Sequence, residues 1–364
     1  MMNPLIGYGT EEYEKNIQDN AERVRGHTLS VYEELWFNSI AENMPKIRAG
    51  ANLWDFPRQK GRPAIIVGAG PTVNKFKQLD ALEESVHSWQ KPFIICVDKM
   101  VHELQRREIR SNLTVTLDGT PEVKGFYEKI QPPSSVYLAA QEKLNVALTI
   151  QTHPSVVSEV ERFGKVWWFI PLWDDIKAEK SYTRTFHFMT KKFMIQALGN
   201  VGAVSVMIAS LLECDPVAFI GLDYGYPPDT PLEETSYFKA YKAMVDQYNR
   251  DLTKENRKTR RTYKRQLKKY EENRSLPTPQ TPALKETKSI ESCYRYLINP
   301  DTKMHVMVDQ NWDVYRTLFL TFLKHMTPRP RYLNCSPISS LFSPEIVTMS
   351  FEDFLKEIEV KKDG

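Results

Sequence analysis

Pro63-Ala64-Ile65-Ile66-Val67-Gly68-Ala69-Gly70-Pro71-Thr72 is the stretch that decides the fold of this chain. Ala64 to Val67 form an unbroken apolar run with no polar alternation, which marks a strand covered on both faces. Such strands belong to parallel sheets flanked by helices. Gly61-Arg62-Pro63 interrupts the preceding pattern, so the strand begins cleanly. Gly68 and Gly70 then permit a tight bend, because no Cβ keeps other atoms away. A polar, helix-like stretch runs from Asn74 to Ser85.

The same alternation repeats downstream. Apolar runs recur at Phe93–Val97, Leu113–Leu117, Val136–Leu138, Val166–Ile170 and Val217–Ile220. Helical patterns fall between several of them, near Met100–Arg107 and over residues 203–213. Strands and helices alternating at this spacing imply βαβ units. The expected fold class is α/β, a doubly wound, mostly parallel, Rossmann-like sheet.

Around this core the composition changes. Residues 1–58 suggest an N-terminal helical segment, with Tyr32, Leu35, Trp36 and Ile40 at helical spacing. The Rossmann-like core is placed at 59–227. Pro227-Pro228 and Pro231 open a charged helical insertion, set at 228–290, whose long helix covers about 233–274. It could form a lid over the cleft. Residues 291–364 return to the core through an amphipathic helix at Trp312–Met326 and a last helix at Phe351–Ile358, with Ser350 as its N-cap.

Composition narrows the function classes. The 364 residues are 41% hydrophobic and 26% charged, which suits a packed globular core. Four well-separated cysteines offer neither a C-x-x-C pair nor a disulfide framework. No export signal and no transmembrane run is visible, so a cytoplasmic protein is expected. The formal net charge is +3, but it is unevenly spread. Residues 250–274 hold eleven basic and four acidic side chains, +7 in all, against −4 elsewhere. Aromatic interleaving there is thin, so a solvated helix face is expected rather than a nucleic-acid site.

Candidate ligand residues cluster at strand ends. Gly68, Ala69, Gly70, Pro71 and Thr72 join strand to helix, where helix amides and the macrodipole favour an anion. A plain tight turn is the alternative. Asp98 and Asp118 end the next two strands. Each can hold a ribose hydroxyl, coordinate Mg²⁺ or cap a helix, and Gly119 frees the backbone beside Asp118. A second glycine turn, with Asn200 and Gly202, opens the helix that carries Ser205. Asp223 is a third strand-end carboxylate. Tyr224 or Tyr226 can stack on a base or pack in the core. No Ser-His-Asp or Cys-His order is visible.

The run Pro63–Pro71 resembles the opening signature of the MptE-like family, which includes archaeal 6-hydroxymethylpterin diphosphokinases and bacterial Maf flagellin glycosyltransferases. Thr114–Gly119 resembles its acidic strand end, and Gly199–Ala209 with Asp215-Pro216 and Ile220–Asp223 its glycine turn, helix and G-x-D strand. Tyr332–Ser336 and the helix after Ser350 resemble the Maf C-terminal segment. Thr72-Val73 replaces the family's usual Ser-Leu, and Leu222 stands where Gln is common.

The resemblance implies a nucleotide-dependent group transferase. The favoured form is diphosphoryl transfer from ATP with Mg²⁺. Asp118 is then the metal ligand, and Asp118 and Asp223 are the catalytic candidates. A Maf-like transfer of a nonulosonic acid from a CMP-sugar to a protein hydroxyl is the alternative. A non-catalytic nucleotide-binding scaffold is a third reading. The acceptor and the oligomeric state are open.

Overall fold

The computed structural model describes residues 11–85, 92–130, 143–273, 277–327 and 329–360. Helix α1 (Glu11–Ala49) leads through the short strand β1 (Ala51–Asn52) into the central strand β2 (Ala64–Val67). Helices α2 (Thr72–Lys75) and α3 (Gln78–Ser85) follow, then β3 (Phe93–Val97), α4 (Val101–Arg106) and β4 (Leu113–Thr116). Next come α5 (Lys124–Tyr127), β5 (Leu144–Thr149), α6 (Pro154–Glu161) and β6 (Gly164–Pro171). Helix α7 (Tyr182–Thr190), β7 (Phe193–Ile195), α8 (Val201–Leu211) and β8 (Val217–Ile220) complete the first part.

These strands form one parallel sheet in the order β1-β6-β5-β4-β3-β2-β8, with β7 also paired to β6. The chain steps outward from β2 to β6 and then crosses back to place β8 on the other side of β2. That reversal makes the carboxyl ends of the neighbouring strands β2 and β8 a topological switch point, outside which open α/β sheets take their ligands.

The continuous apolar runs follow from coverage on both faces. Ile65 and Val67 pack into one layer with α1, α3, α4 and α6, while Ala64 and Ile66 enter the opposite layer with α8. All four are fully buried. Burying an isoleucine or valine side chain contributes about 1.5–3 kcal/mol, so alternation would sacrifice one layer.

Beyond β8 stands the 35-residue helix α9 (Phe238–Glu272). The chain returns along it, and Asn249 and Asn256, two turns apart, hold that return. The Asn249 side chain donates to Lys288 O at 2.7 Å and accepts Lys288 N–H at 2.9 Å. Asn256 treats Lys285 in the same way, at 3.0 and 3.3 Å. A hairpin of β9 (Tyr294–Ile298) and β10 (His305–Asp309) then leads into α10 (Gln310–His325), which Asp309 caps through Asn311 and Trp312 N–H at 2.9 Å each. Strands β11 (Tyr332–Asn334) and β12 (Ile346–Thr348) extend the sheet beyond β8, and α11 (Phe351–Val360) ends the described chain.

The strands expected at Phe93–Val97 and Val217–Ile220 form with those bounds, and the one at Leu113–Leu117 ends one residue earlier. The strand expected at Val136–Leu138 lies outside the described residues. The helix expected over Asn74–Ser85 splits into α2 and α3 around Lys77, whose φ is +50°. Ser350 does cap the last helix, accepting Asp353 N–H at 3.1 Å. Cys96 and Cys214 are buried core thiols, as their surroundings suggested. Among the described residues no helix is long and apolar enough to cross a membrane.

Candidate functional site

A cavity of about 550 Å³ opens where the strands end. Each strand from β2 to β8 contributes the residues just past its carboxyl end. Gly68 to Pro71 follow β2, Asp98 and Lys99 follow β3, and Asp118 follows β4. Gln151 lies beyond β5, Trp173 beyond β6, Asn200 to Gly202 beyond β7, and Asp223 and Tyr224 beyond β8. Helix α1 closes one side with Tyr32 and Trp36, and the start of α9 adds Tyr237. The two glycine bends, Asp118 and Asp223 thus border a single hollow.

The first bend is built for the protein's own contacts. Gly68 N–H donates to Ile220 O at 2.8 Å, and Gly70 N–H donates to Gly221 O at 2.9 Å. Thr72 N–H donates to the Asp223 carboxylate at 2.9 Å, and the Thr72 hydroxyl donates to its other oxygen at 2.5 Å. A Cβ on Gly70 would lie 2.5 Å from Asp223 Oδ2. Glycine is required here for the β2 and β8 loops to touch. The Gly68, Gly70 and Thr72 amides are therefore already bonded, and Thr72 does not border the cavity.

Asp223 is almost wholly buried, and burial pushes its carboxyl up to about 6 against the hydrogen bonds from Thr72 and Ser336. Asp98 is buried too. Desolvation raises it to about 6, with the nearby Asp118 charge adding to the rise and the Lys99 N–H bond opposing it. Asp118 is exposed and accepts Thr120 N–H at 2.9 Å, a short local turn. Asp98 and Asp118 face the same space, and Lys99 is the one basic side chain on the cavity wall among the described residues.

The second bend does offer helix amides. Asn200 caps α8 by accepting Ala203 N–H at 2.9 Å. The Val201 and Gly202 residues ahead of it border the cavity, and first-turn amides have no intrahelical acceptor. Gly199, at φ +83°, turns the chain into this helix.

Three candidates sit elsewhere or serve the core. Ser205 is fully buried inside α8, and its hydroxyl donates to Val201 O at 2.9 Å. Gly119 packs under Trp36 and Gln151, where a Cβ would come within 2.8 Å of the indole nitrogen. Tyr224 borders the cavity, but its ring stacks on Phe319 at 5.7 Å and its hydroxyl meets the Asn200 side chain at 2.9 Å. Core packing explains its position.

The sequence reading passed over an aromatic wall. Trp36 stacks between Tyr32 at 5.8 Å and Trp173 at 5.9 Å. Trp36 Nε1, Trp173 Nε1 and Gln151 Oε1 are buried polar atoms without a hydrogen-bond partner among the described residues. Helical spacing of Tyr32 and Trp36 was the available signal. It marks a buried face, but it does not say that the face meets a cavity.

Residues 38–229 match the family model described as 6-hydroxymethylpterin diphosphokinase MptE-like. The chain belongs to the MptE-like family. The match begins within α1 and ends just before α9, so the MptE-like region contains every strand end that borders the cavity. This family carries a transferase-type activity in its description. The fold also resembles the solved structure of a Maf glycosyltransferase from Magnetospirillum magneticum AMB-1, with a TM-score of 0.53 at 12% identity. That likeness covers 91% of this chain and 41% of the other, so the chain spans about two-fifths of that structure. No protein of the curated collection matches the sequence. Where this MptE-like chain departs from the family signature, the geometry supplies reasons. Thr72 keeps a hydroxyl for Asp223, and Leu222 packs beside Gly202.

Proposed function

We propose that this chain transfers a diphosphoryl group from a nucleoside triphosphate, with ATP as donor and Mg²⁺ as the bound ion. The observation that carries the reading is the pairing of Asp98 and Asp118 on a wall with a single basic side chain. A triphosphate cannot settle against two carboxylates unless a divalent cation lies between them. Mg²⁺ suits this donor set, because it is commonly held by one or two carboxylates together with substrate phosphates. Among the described residues no group of three or more His, Cys, Asp or Glu gathers as an all-protein metal cage, which agrees with an ion shared with substrate.

Phosphoryl-type transfer asks little covalent chemistry of a protein and much positioning. Asp98 and Asp118 would hold the ion, which neutralises charge on the phosphates when bound. The Val201 and Gly202 amides at the α8 N-terminus would meet phosphate oxygens. Lys99 would add a second positive charge beside Asp98, at the carboxyl end of β3. Tyr32, the exposed end of the Tyr32–Trp36–Trp173 stack, would offer its ring face to a ring of the ligand. Asp223 acts as a positioning residue, because its oxygens bind Thr72 and join the two central loops.

The same cavity also suits a CMP-activated sugar, whose base or ring could lie on the aromatic wall. A thermal-shift panel of ATP, GTP, CMP and CTP, with and without Mg²⁺, separates the readings, since a bound ligand stabilises by mass action. The proposal expects ATP stabilisation that requires Mg²⁺ and disappears in Asp118→Ala. Stabilisation by CMP alone would replace it with the glycosyl-transfer reading.

A further inference from the structure

The distal half of α9 carries a surface unrelated to the cavity. From Asn256 to Tyr270 the helix has eight basic residues and no acid. At about 100° per residue, these eight occupy one half of the helix circumference. Arg257, Arg261, Lys264 and Lys268 form its central ridge at i, i+4, i+7 and i+11. Arg260 lies on one flank, and Lys258, Arg265 and Lys269 lie on the other. All eight are exposed.

The opposite half is partly covered. Asn256, Thr259, Tyr263, Leu267 and Tyr270 are each partly buried, and the returning chain lies along that side through Lys285, Gln280 and Pro282. The aromatic and aliphatic residues of this distal half, Tyr263, Leu267 and Tyr270, thus lie on the partly covered side, and the outward half is purely cationic. It begins twenty residues after Tyr237, about 30 Å along the helix from the cavity at 1.5 Å per residue.

We infer that this face docks double-stranded nucleic acid through its phosphates, without reading sequence. The arc of charge is the reason. A flat anionic surface would meet the ridge and leave both flanks in water, whereas a groove about 12 Å wide admits a helix and brings phosphates to both flanks. A bilayer-seeking helix would also present apolar side chains beside its charges, and here those are turned away. No Asn, Gln or Ser lies on the ridge to contact base edges, so only backbone contacts are expected. The sequence alone shows the charge run but not its segregation to one exposed half.

The test uses the full chain and a 24-base-pair duplex of arbitrary sequence in a fluorescence anisotropy titration across 50 to 200 mM salt. Eight phosphate contacts would give a slope of log K against log salt near about −7. Arg257→Gln, Arg261→Gln, Lys264→Gln and Lys268→Gln combined should bring that slope to about −4 and weaken binding at least about tenfold. A control that removes four charges elsewhere, Lys129→Gln, Lys143→Gln, Lys177→Gln and Lys180→Gln, should bind as the parent does. No binding at 50 mM salt, or equal losses in both variants, overturns the inference. Equal affinity for a single strand, or binding to phosphatidylserine vesicles without binding to the duplex, overturns it as well.

Discussion

Asp223 holds Thr72 by two bonds, taking its backbone N–H at 2.9 Å and its hydroxyl at 2.5 Å. The pair joins the loop after β8 to the loop after β2, the two paired central strands at the switch point. Ser336, from the segment after β11, completes the junction by accepting Gly221 N–H at 3.0 Å. The carboxylate that a sequence reading assigns to a ligand is in this fold the pin that fixes the cavity floor.

Burial raises the Asp223 carboxyl from 3.8 to about 6, so the folded state holds its proton more tightly than the unfolded chain. Stability from this group is therefore fully present below pH 3.8 and is lost as pH rises from there through about 6. Asp223→Asn cannot titrate and escapes that decline. The stability of the variant relative to the parent should increase between pH 4 and 7 by up to about 3 kcal/mol, at 1.36 kcal/mol per pKa unit. Urea melts at several pH values measure this, and a pH-independent difference would refute it.

Gly70→Ala tests the same junction from the other strand. The new methyl would fall 2.5 Å from Asp223 Oδ2 and 2.6 Å from Gly221 O, and neither can move without breaking the bonds just described. Overpacking of this kind costs about 1–3 kcal/mol. The melting temperature should fall, and Gly61→Ala, with nothing within 4 Å of its Cβ but φ of +68°, should fall by backbone strain alone and so by less.

Asp118 and Asp98 should separate binding from folding. Asp118 is exposed, and Asp118→Ala removes the bond to Thr120 N–H, so its stability should change by less than about 1 kcal/mol. Mg²⁺-dependent ATP binding should nevertheless be lost. Isothermal titration beside a denaturation curve reads both quantities. Intact Mg²⁺-dependent binding in Asp118→Ala would remove the carboxylate pair from the proposed role.

Much of the fold was legible because parallel strands carry continuous apolar runs, as at Ala64–Val67, Phe93–Val97 and Val217–Ile220. Strand β5 escaped notice because Asn145 and Thr149 interrupt its apolar character. Asn145 is accounted for by its side-chain bonds at the start of the strand, donating to Asn112 O at 3.1 Å and accepting Trp167 Nε1–H at 3.0 Å. The site was legible as a set of strand ends, since glycine and aspartate there follow from topology. What sequence could not show was which polar groups the protein had already paired. Thr72, Ser205 and Tyr224 carry ligand-like chemistry, yet their partners Asp223, Val201 and Asn200 lie at separations or helix positions that a linear reading weighs no differently from solvent. The aromatic wall needed Trp36 and Trp173 brought together across 137 positions, and no local periodicity encodes that meeting.

That wall supports a last prediction. Trp36 is nearly buried, sandwiched between two rings, and its indole N–H has no acceptor among the described residues. Trp36→Ala should lose about 3–5 kcal/mol, the usual cost of deleting a large buried aromatic side chain. Trp36→Phe keeps a ring in the stack and removes a buried donor whose missing bond costs about 1–3 kcal/mol, so lost packing and relieved desolvation oppose one another. Its net change should stay within about 1.5 kcal/mol of the parent in a urea melt. If phenylalanine proves as damaging as alanine, the indole nitrogen has a partner that stabilises the fold.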